Sequence, residues 1–178
     1  MSDRIKIIDV HSHFILPCYL EGLKKMHIDP AQEDGFPTPA WSAQEHLAFM
    51  EEAGIDHSIL SLSTPHIHHG DDALAIELCR QINEETAAVC RAHPDKFSFA
   101  ACLPTPNVEG SLAEIAYAYD HLGASGVKVA SNNNGVYLGD PSLDPILEEL
   151  DRRKAVVTIH PSRAQATPGK VFTSGPAP

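Results

Sequence analysis

The apolar positions of this chain fall into short β-type runs separated by longer segments of helical period. The first run is IKIIDV, Ile5 to Val10, rich in β-branched residues and predicted as a buried strand. The stretch from about residue 15 to residue 40 carries Pro17, Pro30, Pro37 and Pro39 and is predicted as a long functional loop or small insertion. Ser42 and Glu45 form a capping box that opens a helix running to about Ala53 and stopping at Gly54. HSILSLS, His57 to Ser63, is the second strand. A long helix follows from about Asp72 to His93, capped by Asp71 or Asp72 and followed by Pro94. FSFAACL is the third strand, Ser111 to Leu122 a helix ended by Gly123, GVKVAS from Gly126 the fourth strand, Ser142 to Arg153 a helix, and AVVTIH, Ala155 to His160, a fifth strand apolar enough to be buried.

This β-α alternation implies a parallel sheet with helices outside it, the α/β class. Two architectures compete: an open doubly wound sheet, and a (β/α)8 TIM-type barrel of which about the first five β/α units are present. No GxGxxG follows the first strand, so the dinucleotide fingerprint is missing. Polar residues instead collect after the strands: His11 and His13, then His66, His68 and His69, then Asn132 to Asn134, then His160. In a barrel, that end carries the chemistry.

Two histidines one residue apart on a strand project to the same side and can grip a borderline metal ion through neutral nitrogens. A solvated or hydrogen-bonded loop pair is the plain alternative for His11 and His13, and a hydrogen-bonded structural histidine is the alternative for His160. In a closed parallel barrel the three could converge, and three imidazoles make a reasonable zinc shell. The PHIHHGDD segment, Pro65 to Asp72, lies ahead of a helix and reads as solvated or capping, with a substrate-contacting loop as the alternative and a second metal site as a third reading. SNNNG, Ser131 to Gly135, reads as a turn, with substrate hydrogen bonding by Asn132 or a neighbour as the alternative. Arg163 could pair bidentately with a substrate carboxylate, or be a solvated surface residue.

Composition narrows the classes. The 178 residues suit one domain, and 43% apolar content supports a core. A formal charge of -11 argues against nucleic acid or an anionic membrane as partner, but not against a small anionic substrate beside a metal. Cys18, Cys79, Cys90 and Cys102 form no CxxC pair and read as small buried hydrophobes. With no signal-peptide pattern and no run near the roughly 20 apolar residues of a membrane span, a cytoplasmic location is expected. Eleven histidines favour a metal or proton-transfer site.

The run DVHSHFILP, the segment SLSTP, the block CRQINEETAAVCRAHPDKFSFAACLP, then GVKVASNNNG and TIHPSR together resemble the amidohydrolase superfamily. The branch they look most like contains 2-amino-3-carboxymuconate 6-semialdehyde decarboxylase and γ-resorcylate decarboxylase. The resemblance implies a metal-dependent (β/α)8 barrel in which His11, His13 and His160 bind a divalent metal, zinc or alternatively manganese. It implies a small carboxylate or carbonyl substrate; Phe14, His66, Asn132 and Arg163 are the candidate contacts, and a homo-oligomer is expected from the open strand edges. The family's sixth-strand histidine and eighth-strand aspartate, its acid/base groups, have no counterpart before Pro178. A single barrel domain over 1–178, cut after its fifth strand, is therefore expected, since barrels usually need about 250 residues. The implied reaction is non-oxidative decarboxylation of a small unsaturated or aromatic acid. The alternatives are metal-dependent hydrolysis of an amide, ester or lactone, and an inactive fragment that self-associates through bare strand edges.

Overall fold

The computed structural model describes residues 6–29 and 38–162. Among them, five parallel strands form one sheet: β1 (Ile8–Phe14), β2 (His57–Leu62), β3 (Phe97–Cys102), β4 (Gly126–Ala130) and β7 (Val157–His160), in the order β1-β2-β3-β4-β7. Every strand pairs with its predecessor in the chain. A doubly wound sheet reverses its order at a switch point, so this unreversed order selects the barrel-type winding. The intervening helices are α1 (Pro17–Lys25), α2 (Ala43–Ala53), α3 (Asp72–Ala92), α4 (Val108–Tyr117) and α5 (Asp144–Arg152).

Local chemistry explains the boundaries. Ser42 caps α2, its hydroxyl accepting from the Glu45 amide and donating to the Glu45 carboxylate, and Gly54 ends the helix at φ 71°, a left-handed conformation. Asp71 caps α3 by accepting from the Leu74 amide. The buried face of α3 runs Ala75, Leu78, Cys79, Ile82, Asn83, Thr86 and Ala87, a helical stripe against the sheet. Asn83 is the polar member of that stripe. Its side chain donates to the Cys102 carbonyl at 3.0 Å, accepts from the Cys102 amide at 3.0 Å, and donates to buried Glu114 at 2.8 Å. Arg80 completes the group with a 2.8 Å bond to Glu114. One side chain thus ties α3 to the end of β3 and to α4.

Several sequence expectations change. The first strand is shifted: Ile5 lies outside the described residues, and the histidines stand within β1 rather than after it. It is not buried either, with Ile8 52% and Val10 63% exposed, because β1 is a sheet edge. The other edge, β7, likewise exposes Val157 and Ile159. Within the stretch predicted as a loop, Pro17 occupies the first turn of α1, where its missing N–H costs nothing, and Cys18, Tyr19 and Leu23 are buried. Residues 30–37 of that stretch lie outside the described residues. Helix α4 starts three residues early because Asn107, accepting from the Gly110 amide at 2.7 Å, is its cap. It continues into a π-helical turn, Ala118–Leu122, before Gly123. The SNNNG segment is a turn, as expected: β5 (Asn132–Asn133) and β6 (Val136–Tyr137) form a small antiparallel hairpin around Asn134 and Gly135, both at positive φ. All four cysteines are free thiols, three of them buried. Among the described residues, no helix is long and apolar enough to cross a membrane.

Candidate metal centre

Strand alternation puts His11 and His13 on one side of β1, and a register irregularity between Asp9 and Ser12 adjusts their aim. The Nε2 atoms of His11 and His13 are 3.1 Å apart. His160, at the end of β7, brings its Nε2 to 3.3 Å from that of His13. One ligand atom from each of the three lies within 4.8 Å of the others. In a flat sheet β1 and β7 would stand about 19 Å apart, four strand spacings. Their side chains meet because the sheet curls, bringing its two edges round towards each other.

The outer nitrogens of two of these rings are committed. His13 Nδ1 lies 3.3 Å from the Ser61 carbonyl and His160 Nδ1 lies 2.8 Å from the Pro161 carbonyl. A carbonyl only accepts, so each Nδ1 carries the proton and each Nε2 presents a lone pair inward. Burial holds the pKa of both His13 and His160 below the ordinary histidine range, with the positive charge of Lys128 acting in the same direction. Lone pairs facing each other at such distances repel unless a cation stands between them. A tetrahedral zinc ion with 2.0–2.1 Å bonds separates its nitrogen ligands by about 3.3 Å. The donor set and its spacings therefore fit a divalent metal.

Asp9 is not a member of the cluster. Its carboxylate accepts from the His11 amide at 3.0 Å and from the Ser12 hydroxyl. Burial pushes its pKa up, but these bonds outweigh it and the carboxyl stays below its usual range.

The other predicted residues separate. Phe14 is 2% exposed, faces away from the cluster and packs its ring against Trp41. Asn132 clasps the chain beyond His160, its side chain donating to the Ser162 hydroxyl at 2.9 Å. Arg163 lies outside the described residues. The PHIHHGDD segment divides: Gly70, Asp71 and Asp72 are exposed, with Asp71 capping α3 as expected, while residues 65–68 are buried. His66 and His68 are buried, because the asparagines of the β5–β6 hairpin pack onto them: Asn133 meets His66 at 2.8 Å and Asn134 meets His68 at 2.7 Å. Two participants went unmarked in the sequence, Lys128 and Ser162, and Asn133 was marked there only as one of a polar run. Lys128 is 1% exposed on the same sheet face as His160, whose register partner is Ala130. A lysine between valines in an apolar strand is a legible signal, since charge is seldom buried without a task.

Residues 8–177 match the family model Amidohydro_2, described as Amidohydrolase. Among curated relatives, the decarboxylase yanB of Aspergillus niger is 38% identical over 89% of this chain and 44% of its own length. The 6-methylsalicylic acid decarboxylase acuB of Aspergillus aculeatus is 35% identical over 90% of this chain and 49% of its own. The chain spans about half the length of the curated relatives it matches. Among solved structures, an amidohydrolase II superposes with a TM-score of 0.87 at 38% identity, covering 93% of this chain and 54% of that one. The 5-carboxyvanillate decarboxylase of Novosphingobium aromaticivorans, solved with bound manganese, gives a TM-score of 0.78 at 24% identity over 89% and 51%.

Proposed function

This chain belongs to the amidohydrolase family, and from that premise we propose that it carries the metal-binding half of an enzyme that removes CO2 from a small aromatic carboxylic acid. The observation that carries the reading is the convergence of His11, His13 and His160, with the proton parked on the outer nitrogen of two of the three rings. Relatives named as decarboxylases, including one for 6-methylsalicylic acid, supply the reaction class. A divalent metal held there supplies positive charge that orients the acid and polarises one of its oxygens. Zinc suits three imidazoles; manganese is the ion bound in the 5-carboxyvanillate decarboxylase structure.

The chain's own groups shape the rest. The Ser61 and Pro161 carbonyls fix the ring planes of His13 and His160, the outer-shell support that metal ligands use. Lys128 adds a buried positive charge on the substrate side of the sheet, which favours an anionic ligand. Decarboxylation of a hydroxybenzoate then needs one proton delivered to the ring carbon that bears the carboxylate. The bond from that carbon to the carboxylate breaks, CO2 leaves, and the electron pair returns to the ring. No oxidant takes part.

The test uses the protein that contains this chain, loaded with zinc or manganese and offered 6-methylsalicylate and 2,6-dihydroxybenzoate. Release of CO2 with the matching phenol is expected, together with near-stoichiometric metal that a His11→Ala, His13→Ala variant lacks. Metal binding with hydrolysis of amides or lactones and no CO2 would overturn the decarboxylase reading.

A further inference from the structure

The histidine run after β2 and the asparagine run after β4 are locked together. Asn133 is buried; its Nδ2 donates to the Thr105 carbonyl and lies 2.8 Å from His66 Nδ1. A carbonyl cannot donate, so the amide must turn its NH2 towards Thr105, and the same NH2 faces His66. Its second hydrogen goes to His66 Nδ1, which accepts. A neutral imidazole has a single N–H, so the proton of His66 stands on Nε2.

His68 shows the same logic carried to completion. Its Nδ1 accepts from the Gly70 amide at 3.2 Å and from Asn134 at 2.7 Å, and its Nε2–H is given to Asp72 at 2.6 Å. Both its nitrogens are used. His66 differs: among the described residues, nothing hydrogen-bonds to its Nε2, although the residue is only 9% exposed. An imidazole N–H held in a fixed direction without an acceptor from the described residues is available to a ligand. The ring also lies within electrostatic reach of Lys128 and His160, at the same end of the sheet as the metal cluster.

We propose that His66, held by Asn133 in its Nε2–H form, is a fixed neutral hydrogen-bond donor to an oxygen of a bound hydroxybenzoate, and that Asn133 is the positioning residue that sets its direction. The inference rests on reading the site as one for an aromatic acid. Burial, reinforced by the charge of Lys128, holds His66 well below the ordinary histidine range, so the ring stays neutral at pH 7. A neutral donor of this kind orients an anionic oxygen without handing over its proton. It also disfavours a ligand that offers a donor or a methyl group at that position, because the N–H is then unpaired in the complex.

Long-range proton–nitrogen NMR spectra of the protein that contains this chain, with labelled histidine, read the tautomer directly, and loss of signals in a His66→Gln variant assigns them. The expected result is the Nε2–H pattern, with that proton moving downfield when salicylate is added. Salicylate affinity by calorimetry then separates the two nitrogens. Glutamine places its NH2 near the Nε2 position and asparagine near Nδ1. His66→Gln should keep the affinity to within about threefold, whereas His66→Asn should lose about tenfold, roughly 1.4 kcal/mol. An Nδ1–H or doubly protonated ring at pH 7, or equal losses in the two variants, overturns the proposal. If the wild-type protein, loaded with metal, shows the Nε2–H form but binds no salicylate, the aromatic-acid reading fails and takes the ligand role with it. Salicylate binding that survives His66→Asn overturns the role of His66 alone. Should either variant fail to fold, the wild-type spectrum and its response to salicylate still decide.

Discussion

His13 and His160 stand 147 positions apart in the chain, on the two edge strands of the sheet, and their Nε2 atoms are 3.3 Å apart. Sheet curvature alone closes that gap, so the cluster is a readout of the curl as well as a set of ligands. Removing either imidazole leaves two donors, too few for a closed zinc site. His13→Ala and His160→Ala should each lower zinc affinity by at least about 100-fold, the upper end of what even outer-shell changes cost. Competition against a chelating dye measures this. Unchanged affinity in both variants would show that the three rings do not share an ion.

Gly126 controls the approach of β7 to β4. A Cβ at this position would meet the Val156 carbonyl oxygen at 2.8 Å, and that oxygen also accepts the Val127 amide at 2.9 Å. Backbone on both sides leaves nothing flexible to yield. Gly126→Ala should therefore destabilise the chain by about 1–3 kcal/mol and displace β7. Because His160 ends β7, the variant should also weaken metal binding. Urea unfolding and the same dye competition would show both losses, and stability within 0.5 kcal/mol of wild type, the range roughly expected of surface changes, would contradict the tight contact.

The exposed edges carry their own consequence. Ile8 and Val10 on β1, and Ile159 on β7, are large apolar residues open to solvent among the described residues. Open parallel edges with apolar side chains invite pairing with another chain. The 178-residue chain is expected to self-associate with rising concentration, and a Val10→Lys, Ile159→Lys variant to remain monomeric, as followed by light scattering. A wild-type chain that stays monomeric at high micromolar concentration would count against this.

Much of this arrangement was legible in the sequence because it rests on local rules. Ser42, Gly54 and Asp71 mark helix ends by their own side-chain or backbone chemistry, and the structure uses them as expected. The positions of His11, His13 and His160 follow from strand alternation and the strand–helix rhythm. The exposure of Ile8 and Val10 was not legible, since β-branched runs look alike at a sheet centre and at an edge. Nor was helix α1: its opening proline suggested a loop, yet proline is harmless in a first turn. The burial of His66 by Asn133 joins residues 67 positions apart, and no local pattern announces such a pair. Lys128 lay in plain view as a charge within an apolar strand.

Asn83 is the most connected polar side chain on the inner face of α3, meeting both backbone groups of Cys102 and the carboxylate of Glu114. Leucine has nearly the same volume but would strand the Cys102 amide and leave Glu114 with fewer donors. Leaving buried groups unsatisfied costs about 1–3 kcal/mol each, so Asn83→Leu should cost about 2–4 kcal/mol in urea unfolding. Asn83→Asp should cost more, because it sets a second carboxylate against Glu114 and removes the amide that donates to it. If Asn83→Leu matches wild type, the network is decorative and the apolar stripe of α3 alone holds the helix.

Buried histidines fix the direction of the acid response. His66 has its pKa well below the usual range, chiefly through burial, and His13, His46 and His160 are lowered from the same leading cause. For a base depressed in the folded state, the unfolded chain takes up the proton first. The stability it contributes is therefore complete above the unfolded pKa near 6.5 and declines as pH falls towards the folded value, by up to about 1.4 kcal/mol per pH unit for each such group. Metal-free chain should thus lose stability steeply between pH 6.5 and pH 5, a range that lies at or above the ordinary carboxylate pKa values of about 4. Glutamine at position 66 cannot titrate. Its variant should show a slope shallower by roughly one proton per molecule over that range, whatever its stability at pH 7. Urea midpoints taken at half-unit steps of pH give the slope directly, and identical slopes for wild type and His66→Gln would mean that His66 is protonated in the folded chain as readily as in the unfolded one.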